Sequence, residues 1–187
     1  MITETPISRL PVLTVPDRER RPNLYQEGAC PFCPGAEEET PPEICREGDP
    51  WRIRLFPNKY PASQHHEVLV EDAQHDRGFD ELSSEHAAAV MALAFDRYRH
   101  LRARSPFVTL FKNHGQLAGA SIPHPHCQIL GTAFAPARIA AETQAFADST
   151  SCPLCASAGH PRIAQSTDFD WIAPIGSTMP WQQWIIP

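Results

Sequence analysis

Phe111-Lys112-Asn113-His114-Gly115-Gln116-Leu117-Ala118-Gly119-Ala120-Ser121-Ile122-Pro123-His124-Pro125-His126-Cys127-Gln128 is the stretch on which the reading of this chain turns. If the segment from His124 onward is extended, the period of two puts His124, His126 and Gln128 on one face and Pro125 and Cys127 on the other. That face is a candidate reaction site. Ahead of it, Gly115, Gly119, Ala120 and Ser121 make a small-residue turn. Backbone N–H groups in such a turn can approach a phosphate closely, and the Ser121 hydroxyl adds a donor. An HxH pair alone is commonplace and is more often packed or solvated than nucleophilic. The fragments FxNxG, GAS and HPHxQ in fixed order form a far more restrictive pattern.

Outward from this stretch, Phe107–Phe111 reads as a buried strand that delivers Asn113 and the turn, and Gln128-Ile129-Leu130 continues the strand of the histidines. Upstream, Leu82-Ser83-Ser84-Glu85 predicts a helix start, from its hydroxyl caps and early acid. Ala87, Val90, Met91, Ala94, Tyr98 and Leu101 follow at helical spacing as a core stripe. Arg97, Arg99, Arg102 and Arg104 load the C-terminal end, where the macrodipole favours cations. Trp51–Phe56 and His65–Glu71 read as two further strands, separated by the turn Pro57-Asn58-Lys59-Tyr60-Pro61.

The chain has 187 residues, 42% of them hydrophobic, enough to bury a sizeable core in one domain or one plus part of another. Its formal charge of −6 leaves no basic footprint, which argues against nucleic acid as a polymeric partner. No N-terminal stretch resembles a signal peptide and no apolar run is long enough to span a bilayer, so a cytoplasmic protein without membrane partners is expected. Of the six cysteines, four fall in two CxxC pairs, which in a reducing compartment read as metal or redox sites. Cys30-Pro31-Phe32-Cys33 can place two thiolates on one Zn²⁺ but needs two more ligands to close a tetrahedron. By residue type alone, Arg18 and Arg21 sit in a solvated mixed-charge turn, Asn58 is an ordinary turn asparagine, and His75 is a loop residue.

The FxNxG, GAS and HPHxQ string resembles the active-site segment of galactose-1-phosphate uridylyltransferases, a branch of the histidine-triad superfamily with related nucleotidyltransferases and phosphorylases. That resemblance implies an α+β fold, a histidine-triad-like antiparallel sheet with helix packing, laid out as strand, strand, helix, strand, strand. It implies a structural Zn²⁺ held by Cys30, Cys33, His75 and His124. Arg18 with Arg21-Pro22 matches the family's RxxRP element, whose guanidinium groups meet phosphate, and Asn58 takes a contact with the nucleoside. Asn113, Gly119, Ala120, Ser121 and Gln128 complete the implied substrate-binding set. His65 and His66, in the pattern HEV, are implied to be structural.

Further on, Ala137–Ala147 suggests a second helix, and Cys152-Pro153-Leu154-Cys155 with the strands after it echoes the first knuckle. Uridylyltransferases of this family are internally duplicated. The echo therefore implies a first domain over residues 1–148 and the start of a second, incomplete repeat over 149–187. Cys152 and Cys155 are candidates for another metal, with His160 as a third ligand, or form a vestigial knuckle.

The chemistry implied by the resemblance is transfer of a uridylyl group between UDP-glucose and a hexose 1-phosphate, in galactose metabolism, through a covalent intermediate on His126. Gln128 and Ser121 donate to phosphate oxygens as charge builds. A glutamine in the place where hydrolytic members carry a third histidine stabilises charge without exchanging a proton, which favours transfer over hydrolysis. The alternatives are a nucleoside-diphosphate-sugar phosphorylase, with inorganic phosphate as acceptor, or a split half that needs a C-terminal partner. A homodimer or association with such a half is expected.

Overall fold

Along the strand His126–Thr132, side chains alternate strictly between two covered faces, and this alternation organises the first of two units, Met1–Ala135 and Pro136–Pro187. The structure, a computed structural model, describes residues 2–7, 10–21, 29–156 and 159–187. In the first unit, β1 (Ile2–Glu4) and β2 (Pro11–Leu13) form an antiparallel pair. A five-stranded sheet follows, built from β3 (Cys45–Gly48), β4 (Trp51–Pro57), β5 (His65–Val70), β6 (Phe107–Phe111) and β7 (His126–Thr132) in the order β3-β4-β5-β7-β6. Every pairing in it is antiparallel.

α1 (Ser84–Arg102) lies between β5 and β6 in sequence and packs on one sheet face. Its N-cap is Ser83, whose hydroxyl accepts the His86 N–H at 3.2 Å. The buried stripe is narrower than the sequence predicts: His86, Val90, Ala94 and Leu101 are buried, whereas Met91 is exposed. Val90, Ala94 and Leu101 meet Ile53 and Leu55 of β4, Leu69 of β5, and Cys127 and Ile129 of β7. Burying each large aliphatic there contributes about 1.5–3 kcal/mol. Glu67 of β5 sits on the same side and is clasped by Arg97 of α1 through both guanidinium edges, at 2.7 and 3.0 Å.

The opposite face carries a smaller cluster, Phe32, Trp51, Phe56, Val68 and Val70. Because both faces are covered, β5 reads as a continuous buried run and not as an alternation of apolar and polar residues. Arg54, fully buried on this face, lies over the Trp51 and Phe56 rings, pairs with Glu43 and donates to Thr40 Oγ1. β7 starts at His126 and not at His124, since Pro125 has no N–H to give a ladder. Its carbonyl instead accepts the Glu71 N–H at 3.2 Å. The register places Val70 opposite His126 and Val68 opposite Gln128.

The second unit contains α2 (Ala137–Asp148) and a three-stranded antiparallel sheet of β8 (Arg162–Gln165), β9 (Asp170–Ile172) and β10 (Trp184–Ile186), in the order β10-β9-β8. The division falls after Ala135, ahead of α2, whereas the sequence places the boundary after 148. Among the described residues, no helix is long and apolar enough to cross a membrane.

Candidate functional site

Two adjacent centres form on the face opposite α1. The first gathers Cys30, Cys33, His75 and His124, whose ligand atoms all lie within 4.8 Å of one another. Cys33 Sγ is 3.3 Å from His75 Nδ1 and 3.6 Å from His124 Nδ1, and Cys30 Sγ is 3.7 Å from His124 Nδ1. A tetrahedral zinc ion, with metal–sulfur near 2.3 Å and metal–nitrogen near 2.0 Å, separates sulfur and nitrogen ligands by about 3.5 Å. The donor set and its spacing therefore fit Zn²⁺. The tautomer fits as well. His124 Nε2 donates to the Asp72 carbonyl at 2.7 Å, which leaves Nδ1 with a lone pair aimed at the two sulfurs. Burial pushes the Cys30 thiol up to about 11, and a cation among the ligands opposes that by favouring the thiolate.

The second centre is a cleft of about 330 Å³ lined by His126, Gln128, Ser121, Asn58 and Arg21, with Phe32, Phe56, Val68 and Ile122 among its apolar walls. His126 is edge-on to Phe32, with ring centroids 5.2 Å apart. Its Nδ1–H donates to the His124 carbonyl at 2.8 Å, so Nε2 keeps its lone pair. Burial favours the neutral ring and holds the His126 pKa below the ordinary histidine range, while the bond to the His124 carbonyl opposes it by favouring the protonated form. A neutral imidazole with one nitrogen anchored and the other free is a nucleophile held at a fixed angle.

The residues expected from the sequence divide here. His126, Gln128, Ser121, Asn58 and Arg21 come together in the cleft. Arg18 does not line it, and its guanidinium donates to the Tyr60 carbonyl at 2.7 Å, tying the N-terminal segment to the β4–β5 loop. Pro22 lies outside the described residues. Asn113, Gly119 and Ala120 are not in the cleft lining. The Gly119 N–H donates to the Gln116 carbonyl at 2.9 Å and the Ala120 N–H to the Gly115 carbonyl at 3.2 Å, so those donors are spent inside the turn. Gly115 and Gly119 have φ of 78° and 82°, which side chains disfavour, and this lets the chain reverse before Ser121. In the second unit, His160 does not join Cys152 and Cys155. Its Nδ1 accepts the Ile175 N–H at 2.8 Å, and among the described residues only the Cys30 group assembles three or more ligands.

His66 is the polar residue that the sequence underrates. It is buried on the cleft face of β5, within 2.9 Å of Gln128 Oε1. The only signal for it in the sequence is strand periodicity, which puts His66 on the same face as Val68 and Val70.

Fold and site together define a histidine-triad-type α+β domain of the galactose-1-phosphate uridylyltransferase branch. The family described as "Domain of unknown function (DUF4931) N-terminal domain" matches residues 17–134, more than half of the chain, and the chain belongs to that family. It is 25% identical to an ADP-glucose phosphorylase of Arabidopsis thaliana, in an alignment covering 100% of this chain and 65% of the relative. It is also 25% identical to a galactose-1-phosphate uridylyltransferase of Thermotoga maritima, over 90% of this chain and 60% of that one. A solved structure of a uridylyltransferase superposes with a TM-score of 0.79 at 26% identity, covering 98% of this chain and 65% of the other. The chain thus spans 60–65% of the length of these two curated relatives.

Proposed function

We propose that this chain performs nucleotidyl transfer on a nucleoside diphosphate sugar, with His126 as the nucleophile. The observation that carries the reading is the anchored His126 ring: Nδ1–H is held by the His124 carbonyl, and Nε2 is the nitrogen left for the cleft. Nε2 attacks the α-phosphorus, the bond from that phosphorus to the bridging oxygen breaks, and the sugar 1-phosphate leaves with the electron pair. The nucleotide is then bonded to Nε2 as an imidazolium, a good leaving group. An acceptor oxygen attacks the same phosphorus and the N–P bond returns its electrons to the ring.

Gln128 and Ser121 stand beside the ring and donate to the non-bridging oxygens as negative charge builds, and Arg21 at the cleft supplies a fixed positive charge. The walls of Phe32, Phe56, Val68 and Ile122 suit a planar base. Bound at Cys30, Cys33, His75 and His124, Zn²⁺ would supply cross-linking between the knuckle, the loop after β5 and the segment leading into β7. It contributes no step of the reaction.

With a uridylyl group and a hexose 1-phosphate acceptor, this is the uridylyltransferase reaction. With inorganic phosphate as acceptor it is phosphorolysis, which the ADP-glucose phosphorylase relative favours equally. We read residues 149–187 as the start of a second repeat, because Cys152 and Cys155 precede an antiparallel sheet as Cys30 and Cys33 do.

The test is the intact mass of zinc-loaded protein after incubation with UDP-glucose or ADP-glucose. Gain of one acid-labile nucleotidyl group, absent in His126→Ala, supports the reading. Discharge of that adduct by galactose 1-phosphate then marks a transferase, and discharge by inorganic phosphate a phosphorylase, whereas discharge by glucose 1-phosphate only reverses the first step. A zinc-loaded, folded protein that acquires no adduct from either nucleotide overturns it.

A further inference from the structure

We propose that His66 is a positioning residue that decides which end of the Gln128 amide faces the substrate. A chain of hydrogen bonds leads to Gln128 from a backbone group whose role is not adjustable. The Ala62 N–H can only donate, and it points at His66 Nδ1 from 2.9 Å. His66 Nδ1 is therefore the acceptor nitrogen, and the ring proton of the neutral imidazole resides on Nε2.

That proton has one good acceptor, Gln128 Oε1, at 2.9 Å. A second donor arrives at the same oxygen by an independent route. Asn58 Oδ1 accepts the Tyr60 N–H at 2.8 Å, which fixes the Asn58 amide so that its Nδ2 points to Gln128 Oε1 at 3.4 Å. His66 Nε2 and Asn58 Nδ2 lie 3.3 Å apart as two donors sharing this oxygen. With two donors on its carbonyl end, the Gln128 amide has its NH₂ end at the far side, and among the described residues that nitrogen meets no protein acceptor.

A glutamine amide can rotate by half a turn at little cost in shape, but the two ends are opposite in polarity. Presented oxygen-first, Gln128 repels a phosphoryl oxygen. Presented nitrogen-first, it donates to it. The neutral His66 ring blocks the wrong rotamer, since an NH₂ group turned inward would face the Nε2–H and the Asn58 NH₂. Burial, which pushes His66 down to about 4, keeps the ring in this single-proton form across the neutral range. His66 does not line the cleft, so it acts through Gln128 and not on substrate directly.

The inference rests on the nucleotidyl-transfer reading for its kinetic consequence, but not for its structural one. The experiment therefore has two arms. The first records long-range ¹H–¹⁵N spectra of ¹⁵N-histidine-labelled, zinc-loaded protein without substrate. The His66 resonances, assigned by comparison with His66→Gln, are expected in the neutral Nε2–H form. The Nδ1–H form, or a protonated ring at neutral pH, overturns the proposal whatever the protein catalyses.

The second arm measures single-turnover adduct formation for His66→Leu, which keeps apolar volume without a donor, and His66→Gln, whose amide nitrogen can occupy the place of Nε2. His66→Leu is expected to form adduct about a hundredfold more slowly at saturating nucleotide sugar, with half-saturation moved less than threefold. His66→Gln is expected to recover at least tenfold of that. A folded His66→Leu within threefold of the parent rate overturns the proposal, as does a folded His66→Gln no faster than His66→Leu. If the parent forms no adduct, the nucleotidyl-transfer reading falls while the tautomer result still decides the arrangement of His66 and Gln128.

Discussion

The imidazole of His126 is tethered to its own strand: Nδ1–H donates to the carbonyl of His124 at 2.8 Å. Because the tether uses Nδ1 and the chemistry uses Nε2, one substitution separates them. An asparagine amide places its nitrogen near the position of Nδ1 and has nothing at Nε2. His126→Asn is expected to keep the bond to the His124 carbonyl and to fold, with one zinc per chain and a thermal midpoint within about 5 °C of the parent. It should form no nucleotidyl adduct. Adduct on His126→Asn, read by intact mass, sinks the assignment of the nucleophile.

Cys33 Sγ touches both histidines of the metal set, at 3.3 Å from His75 Nδ1 and 3.6 Å from His124 Nδ1. It is therefore the ligand whose loss opens the cluster most. Binding free energy at a structural zinc site is folding free energy. Cys33→Ser is expected to carry less than half a zinc per chain by elemental analysis and to melt at least about 10 °C lower, a loss of a few kcal/mol. A strong chelator should produce the same fall in the parent and a smaller one in the variant. A parent that purifies with no zinc, or melts unchanged after chelation, contradicts the metal assignment.

Much of this arrangement is legible in the sequence, for physical reasons that differ by element. β4, β7 and the Ser83-capped α1 follow from period and capping, because each buries side chains that local chemistry alone identifies, whereas β6, which reads as a buried strand, lies at the sheet edge with Phe107 exposed and the rest half-buried. β3 does not: Cys45-Arg46-Glu47-Gly48 has no apolar run and becomes a strand by pairing with β4. Met91 fits a helical stripe on paper, yet the sheet accepts only the narrower row of His86, Val90, Ala94 and Leu101. Of the four zinc-type ligands, Cys30 and Cys33 are legible as a CxxC pair, and His75 and His124 come only through the family resemblance, since Cys33 and His124 are 91 positions apart. The engagement of Arg18 with the Tyr60 carbonyl, and of His66 with Gln128, depends on tertiary neighbours that no spacing rule encodes.

Glu67 is nearly buried and faces the sheet–helix interface, where Arg97 meets both of its oxygens, at 2.7 and 3.0 Å. The hydrogen bonds to Glu67 are what hold the Arg97 pKa above its usual value. Removing the guanidinium leaves a largely buried carboxylate without its partner, which costs about 3 kcal/mol. Arg97→Ala should lose that much in urea unfolding with an unchanged dependence on denaturant. Adding Glu67→Gln to Arg97→Ala should return at least a third of it, because the neutral amide is cheaper to bury. A loss under about 1 kcal/mol for Arg97→Ala marks the pair as a solvated surface contact.

His66 makes folding stability sensitive to mild acid. Burial pushes its pKa down to about 4, and the positive charges of Arg18 and Arg21 act in the same direction, while the bond to Gln128 opposes them. In the unfolded chain the same ring titrates near 6.5. The sign follows: between these values the unfolded state takes up a proton that the folded state refuses, so unfolding becomes easier as pH falls. The contribution is fully present above about pH 6.5 and is lost progressively down to about pH 4, amounting to about 3 kcal/mol at the lower end. His66→Leu has no proton to take up, so its stability curve between pH 6.5 and 4 should be flatter than the parent's by about that amount. The measurement is urea unfolding at half-unit intervals of pH. Parallel curves for parent and variant over this range contradict a buried neutral His66.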